Sequence, residues 1–160
     1  MKNLTAIETT IYDWMARHGV RLFRISMGLI FFWFGFQKFF PGLSSAEDIA
    51  TRTIEVISFG IVAHPVSMPL LATWEVLIGL GFLTGRFLRI TLILLYAQMA
   101  GTIVPLFIFP EETFYLVPWI PTLEGQYIFK NVLFLTGAMI VGAYYSGRKI
   151  QKPRKNAESS

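Results

Sequence analysis

The sequence predicts an all-α membrane protein: a four-transmembrane-helix bundle with an N-terminal amphipathic helix and a short outer-loop helix. Three observations carry this expectation. Of the 160 residues 54% are hydrophobic and only 15% charged, where soluble domains carry about 25% charged residues, and the mean hydropathy is +0.54. Four stretches approach the roughly 20 apolar residues that a bilayer requires. The basic residues also gather at every second connection, on one side of the membrane, as the positive-inside rule expects.

The elements follow in order. Leu4, Ile7, Ile11, Trp14 and Met15 recur at helical spacing, which predicts an amphipathic helix lying on the inner membrane surface. No short apolar stretch with a small-residue cleavage site precedes it, so it does not read as a signal peptide. The first span is placed over about 21–40. It opens with Arg21 and Arg24 and carries Lys38 near its end, but Ile25 to Phe36 holds no charge. The second, about 66–85, contains only Glu75; the third, about 90–109, contains no charge; the fourth, about 127–146, contains only Lys130. Together 1–147 reads as a single membrane domain, with 148–160 a flexible basic tail able to touch anionic lipid.

The connections carry their own signals. Ser44 and Ser45 precede Glu47 and Asp48; small polar residues followed by acids suit a helix start, so a short outer helix is expected over about 46–58. Residues 110–125 hold Pro110, Pro118, Pro121 and Gly125 with Phe114, Tyr115 and Trp119. That composition predicts a structured aromatic loop at headgroup level. No internal repeat is visible.

Charge sets the expected orientation. With both termini and the second-to-third connection on one side, that side holds Lys2, Arg17, Arg21, Arg24, Arg86, Arg89, Arg148, Lys149, Lys152, Arg154 and Lys155, eleven of the 14 basic residues. The opposite side holds Arg52 and six acids. Both termini are therefore expected on the cytoplasmic side, with the chain crossing the membrane four times. The net charge of +4 reads as a topology and headgroup signal, and the partner it implies is the lipid bilayer, not nucleic acid. The absence of cysteine excludes disulfides and thiolate-held zinc or iron–sulfur clusters. The two histidines, His18 and His64, fall on opposite sides, so no haem or other metal site is expected.

Ionisable residues inside spans are costly and usually functional or paired. Here they are Lys38, Glu75 and Lys130, with Gln37, Gln98 and Asn131 beside them. At about 1.5 Å per residue, Gln98 lies about 13 Å from Arg89 and Glu75 about 16 Å from Arg86, so the group occupies the middle or outer half of the bilayer. Lys38 shares a face with Gly28 and Gly35, Glu75 with Gly79, Gln98 with Gly101, and Lys130 with Gly137. Small residues mark close helix packing, so a Lys38–Glu75–Lys130 cluster with one net positive charge is expected inside the bundle. It would form a pocket open to the outer side that attracts an anionic or carbonyl-rich ligand. The plainer alternatives stay open: Lys38 and Lys130 snorkelling to headgroups, Glu75 paired for structure alone, Gln98 a simple interhelical hydrogen bond, and Phe31 to Phe34 divided between lipid and core.

The segments RISMGLIFFWFGFQKFFPGLS, LLATWEVLIGLGFLTGRFLR and EGQYIFKNVLFLTGAMIVGA resemble the DoxX family of small bacterial membrane proteins over about residues 20–146. The likeness rests on the Gln-Lys-Phe ending of the first span, the Trp-Glu with trailing glycines, and the Lys-Asn opening the last. It implies a four-helix inner-membrane protein; some relatives are linked to a thiosulfate–quinone oxidoreductase or to oxidative-stress complexes. It brings Lys38, Glu75 and Lys130 forward as positions, and it assigns no catalytic residue. Two functions compete. One is a redox-associated subunit binding a quinone or similar carrier and taking electrons from a partner protein. The other is a non-enzymatic assembly factor, scaffold or small-solute binding protein. A transporter ranks third.

Overall fold

A computed structural model describes the backbone of residues 2–44 and 46–147, with side chains from Thr5 onward. Four stretches in it are long and apolar enough to cross a membrane: Thr5–Gln37, Ser67–Thr84, Leu88–Ile108 and Leu123–Tyr145. The expected amphipathic position of Leu4, the serine at 45 and the basic tail 148–160 lie outside the described residues.

Helix α1 (Lys2–Gln37) is one element of 36 residues, or about 54 Å at 1.5 Å per residue. This corrects the expected separation of a surface helix from the first span. Nothing between Met15 and Arg21 ends a helix: there is no proline, and a lone Gly19 costs only about 1 kcal/mol. The helix closes at Gln37, short of residue 40. The N–H groups of Lys38, Phe39 and Phe40 instead bond the carbonyls three residues back, at 3.2, 3.2 and 3.1 Å. Pro41 follows directly, and a residue before proline avoids the helical conformation.

Helix α2 (Glu47–Ile57) matches the expected outer helix. Ala46 occupies its N-cap without a side-chain bond, so the expected serine cap is replaced by an acid acting backwards: Glu47 Oε2 accepts the N–H of Gly42 at 2.8 Å. Helix α3 (Ser67–Thr84) is the second span, and α4 (Leu88–Ile103) with α5 (Pro105–Ile108) forms the third. The break falls at Pro105, which has no N–H to continue the ladder.

The next connection departs from an all-helical reading. After a single turn, α6 (Pro110–Thr113), strand β1 (Phe114–Leu116) pairs antiparallel with β2 (Ile120–Pro121). Pro118 and Pro121 bar a helix here, and aromatic and β-branched residues favour a strand. Tyr115 on β1 and Trp119 in the turn are exposed. Helix α7 (Leu123–Lys130) starts four residues before the expected span, because Thr122 caps it by accepting the N–H of Gly125 at 3.3 Å. Helix α8 (Val132–Tyr145) completes the fourth span after a break at Asn131.

The four spans form a closed ring in which α1 packs on α3, α3 on α4, α4 on α8 and α8 on α1. Each contributes two residues to one buried cluster: Met27 and Phe31, Ile78 and Phe82, Leu95 and Met99, Ala138 and Val141. Helix α2 leans across α3, α4 and α5 at the end of the bundle that carries the hairpin, here termed the loop end. Helices α1 and α3 come closest. A Cβ on Gly79 would lie 2.4 Å from the Phe32 nitrogen, one on Gly35 2.8 Å from Glu75 Cβ, and one on Gly28 2.8 Å from the Leu83 nitrogen. Those three glycines therefore set the approach of the two backbones.

Arg24 sits at the opposite end of the ring and is buried. Its Nη1 donates to the carbonyls of Phe82 and Leu83, the latter at 3.3 Å, and its guanidinium lies 5.5 Å from the Tyr145 ring centre. Sequence alone reads it as a boundary anchor. It is a cap on the last turn of α3, where unpaired carbonyls favour a cation. Gly85, with φ +70°, makes room, since a Cβ there would lie 2.5 Å from Arg24 Nη1.

Candidate functional site

The close α1–α3 contact decides where the polar residues meet. Lys38 follows the last residue of α1, so its stem can reach back along the helix; its ammonium donates to the Phe34 carbonyl at 3.4 Å. The same ammonium reaches Glu75 on α3 at 2.7 Å. Gly35 permits this: a side chain there would meet Glu75 Cβ and push α3 away. From the far side, Gln98 on α4 donates its Nε2 to Glu75 Oε1 at 3.0 Å. Glu75 thus has one oxygen on an ammonium and the other on an amide. Its side chain is only 11% exposed and that of Lys38 12%, so the pair is neutral and mostly shielded.

One turn further along α4, Thr102 accepts a hydrogen bond from Asn131 Nδ2 at 3.4 Å. Asn131 stands at the α7–α8 break, and its carbonyl receives the N–H groups of Phe134 and Leu135 at 3.0 and 3.2 Å. Residues four apart lie on one helix face. Gln98 and Thr102 therefore join two hydrogen-bonded links into a polar layer that touches all four spans: Lys38, Glu75, Gln98–Thr102 and Asn131.

The arrangement differs from the expected cluster in three respects. Lys130 does not meet Glu75; it is exposed and its ammonium lies 5.1 Å from the Tyr127 ring centre. Placed one residue before the α7–α8 break, it turns away from the layer that its neighbour Asn131 enters. The expected net positive charge is consequently absent, because one acid faces one lysine. The Gln37 side chain has no hydrogen-bond partner among the described residues; its carbonyl accepts the Phe40 N–H. Gly101 also fails as a packing mark, since a Cβ there meets nothing within 4 Å, whereas Gly137 sits against the Phe23 ring. Thr102 is the layer member that sequence reasoning missed. Its one available signal is the position four residues after Gln98.

A second polar group lies at the loop end. Arg52 on α2 donates Nη1 to Glu112 Oε1 at 2.8 Å and Nη2 to Glu112 Oε2, and also meets Asp48 at 2.8 Å. Its guanidinium lies 4.7 Å from the Phe109 ring centre. The hydrogen bond from Arg52 holds the Glu112 carboxyl below its ordinary pKa, and the same bond raises that of Arg52. This clasp ties α2 to the start of α6. Two shallow surface depressions lie elsewhere than the polar layer, one against Ala6, Ile7, Thr10 and Ile11 and one against Asp48, Ile49, Glu112 and Glu124.

Comparison with known proteins bears on the same helices. The family model described as DoxX matches residues 19–109, which takes in Lys38, Glu75, Gln98 and Thr102. No curated protein and no solved structure matches the chain.

Proposed function

The chain belongs to the DoxX family, and from that premise we propose that it serves as the membrane-embedded subunit of a redox-associated assembly. In this reading it holds the carbonyl head of a lipid-soluble carrier of the quinone class at Lys38, Glu75 and Gln98. The observation that carries it is a shielded carboxylate in mid-span, bonded to an ammonium and an amide that each keep a further hydrogen. An ammonium has three N–H donors and an amide two; Glu75 and Phe34 take two of the first, and Glu75 takes one of the second. Those remaining donors sit on either side of the same carboxylate, and a carrier's carbonyl oxygen would accept from one of them. The phenylalanine ladder at the end of α1, with Phe36 5.5 Å from Phe40 and 6.4 Å from Phe39, offers an apolar wall for a ring. Electrons then come from a partner protein, since the chain has no thiolate. The positive-inside count supports cytoplasmic termini in a bacterial inner membrane, with the polar layer in the outer half.

A second reading has its own observation: the layer members satisfy one another, and neither surface depression adjoins them. The layer then fixes helix register in a non-enzymatic assembly factor, scaffold or small-solute binding protein. Lipid extraction and native mass spectrometry of the purified protein separate the two. The carrier reading expects a quinone at near one per chain, lost in the double variant K38M/E75L although that variant folds. Wild-type protein that never retains a quinone, even when loaded with one, overturns it in favour of the register-fixing reading.

A further inference from the structure

We propose that α1 is the dimer helix of this protein, pairing in parallel with α1 of a second copy along one exposed apolar face. The length of the helix is the starting point. A hydrocarbon core about 30 Å thick takes about 20 residues, so a 36-residue helix leaves about 16 outside. The boundary falls near Arg17, beside the basic residues Arg21 and Arg24. Within the described residues α1 packs chiefly on α3 and α8, and residues 5–17 are exposed throughout.

The projecting segment is not polar on all sides. At 100° per residue, Ile7, Ile11 and Trp14 fall within one arc of about 100° together with Leu22, Leu29 and Trp33 of the spanning part. All six are 46–60% exposed. The packed face, with Met27, Gly28 and Phe31, points to another side. This stripe runs from outside the bilayer into its lipid-facing surface, interrupted by His18, whose ring stacks on Trp14 at 5.1 Å. Lipid covers the inner part. Water would meet the outer part, where apolar area costs about 25 cal/mol per Å².

Charge and geometry choose the occupant. Residues 2–17 carry Lys2 and Arg17 against Glu8 and Asp13, a net charge of zero, whereas helices that lie on membranes set Lys and Arg along the polar face. A segment continuous with a span also cannot lie in the membrane plane without a break, and α1 has none between Lys2 and Gln37. Thr5, Thr9 and Thr10 are weak helix formers, so an isolated projecting helix of this length would be marginal. A second copy meets each condition. Both copies enter one membrane in the same direction, a two-fold axis along the normal sets the stripe against itself, and the four-then-three spacing of Ile7, Ile11 and Trp14 is that of a parallel two-helix seam.

The chain has no cysteine, which makes single-cysteine cross-linking clean. Ile11→Cys and Trp14→Cys in native membranes should give a disulfide-linked dimer several-fold more readily than Thr9→Cys and Asp13→Cys on the opposite face. Wild-type protein in nanodiscs should be a dimer, and I7E/I11E a monomer with unchanged bundle unfolding. Equal cross-linking at all four positions, or a monomeric wild type, overturns the proposal. Quenching of Trp14 fluorescence by brominated phospholipid at wild-type level in a monomer would identify lipid as the cover instead.

Discussion

The Lys38 ammonium and the Glu75 carboxylate meet at 2.7 Å across the α1–α3 contact, each side chain about nine-tenths shielded. The pair exists because Gly35 and Gly79 let two backbones approach until a short acid and a lysine stem converge. Charge and packing are thus one feature: the helix spacing makes the ion pair, and the pair fixes the register at which the glycines interlock.

The first prediction separates the two. Breaking a shielded pair leaves the other charge uncompensated, at a cost of about 3–5 kcal/mol, whereas replacing both partners with apolar residues is often near neutral. Glu75→Gln and Lys38→Met should each lower stability by that order in detergent-micelle unfolding, and K38M/E75L should regain most of it. A double variant as unstable as the two singles added together would show that no such pairing operates.

Packing at the same contact can be tested without touching a charge. Gly79→Ala places a methyl 2.4 Å from the Phe32 nitrogen, and backbone cannot yield as a side-chain tip does. Overpacking of this kind costs about 1–3 kcal/mol. Cysteines at Phe32 and Val76, cross-linked by reagents of graded length, should then need a longer bridge than in the parent. Unchanged reach and stability would mean the helices do not interlock at these glycines.

Much of this was legible in the sequence. The spans follow from apolar length, and the need of Glu75 for a lysine partner from the expense of an unpaired acid in a membrane, though spacing alone left open which lysine supplies it. Spacing leaves Lys130 open between the cluster and the headgroups because it cannot report a helix break: the interruption at Asn131 changes which way the preceding residue faces. Thr102 stayed hidden because a threonine in a span looks apolar enough to need no partner. Arg24 looked like a headgroup anchor, and only the position of the α3 end shows that it caps the Phe82 and Leu83 carbonyls. The hairpin was masked by its prolines, which announce a turn without saying that strands flank it.

The link between α4 and α8 should be weaker than that between α1 and α3. Thr102 and Asn131 are 3.4 Å apart, and interhelical hydrogen bonds in membranes average only about 0.6 kcal/mol. Thr102→Val should therefore cost less than 1 kcal/mol, by the same measure, and leave the effect of Glu75→Gln unchanged. A loss comparable with that of Glu75→Gln would mean the layer acts as one network and not as two links.

The loop-end clasp should respond to acid, and the sign follows from its two shifts. The Arg52 hydrogen bond lowers the Glu112 carboxyl below its ordinary value of 4.5, so the folded clasp holds fewer protons than the opened one in that range. Its contribution is complete above the ordinary value and is lost as pH falls through the lowered one. Arg52 is raised above its ordinary value by the same bond and stays charged throughout the acid range, so it adds no acid dependence of its own. Both groups are largely open to solvent, so the effect is small and screened by salt. Amide hydrogen exchange over residues 47–57, corrected for intrinsic rates, should be slow near neutral pH and faster below the range where Glu112 titrates. High salt should speed it in the same direction. Arg52→Gln should show fast exchange at both pH values. If that variant keeps the parent's acid response, the clasp is not what holds α2 over the end of the bundle.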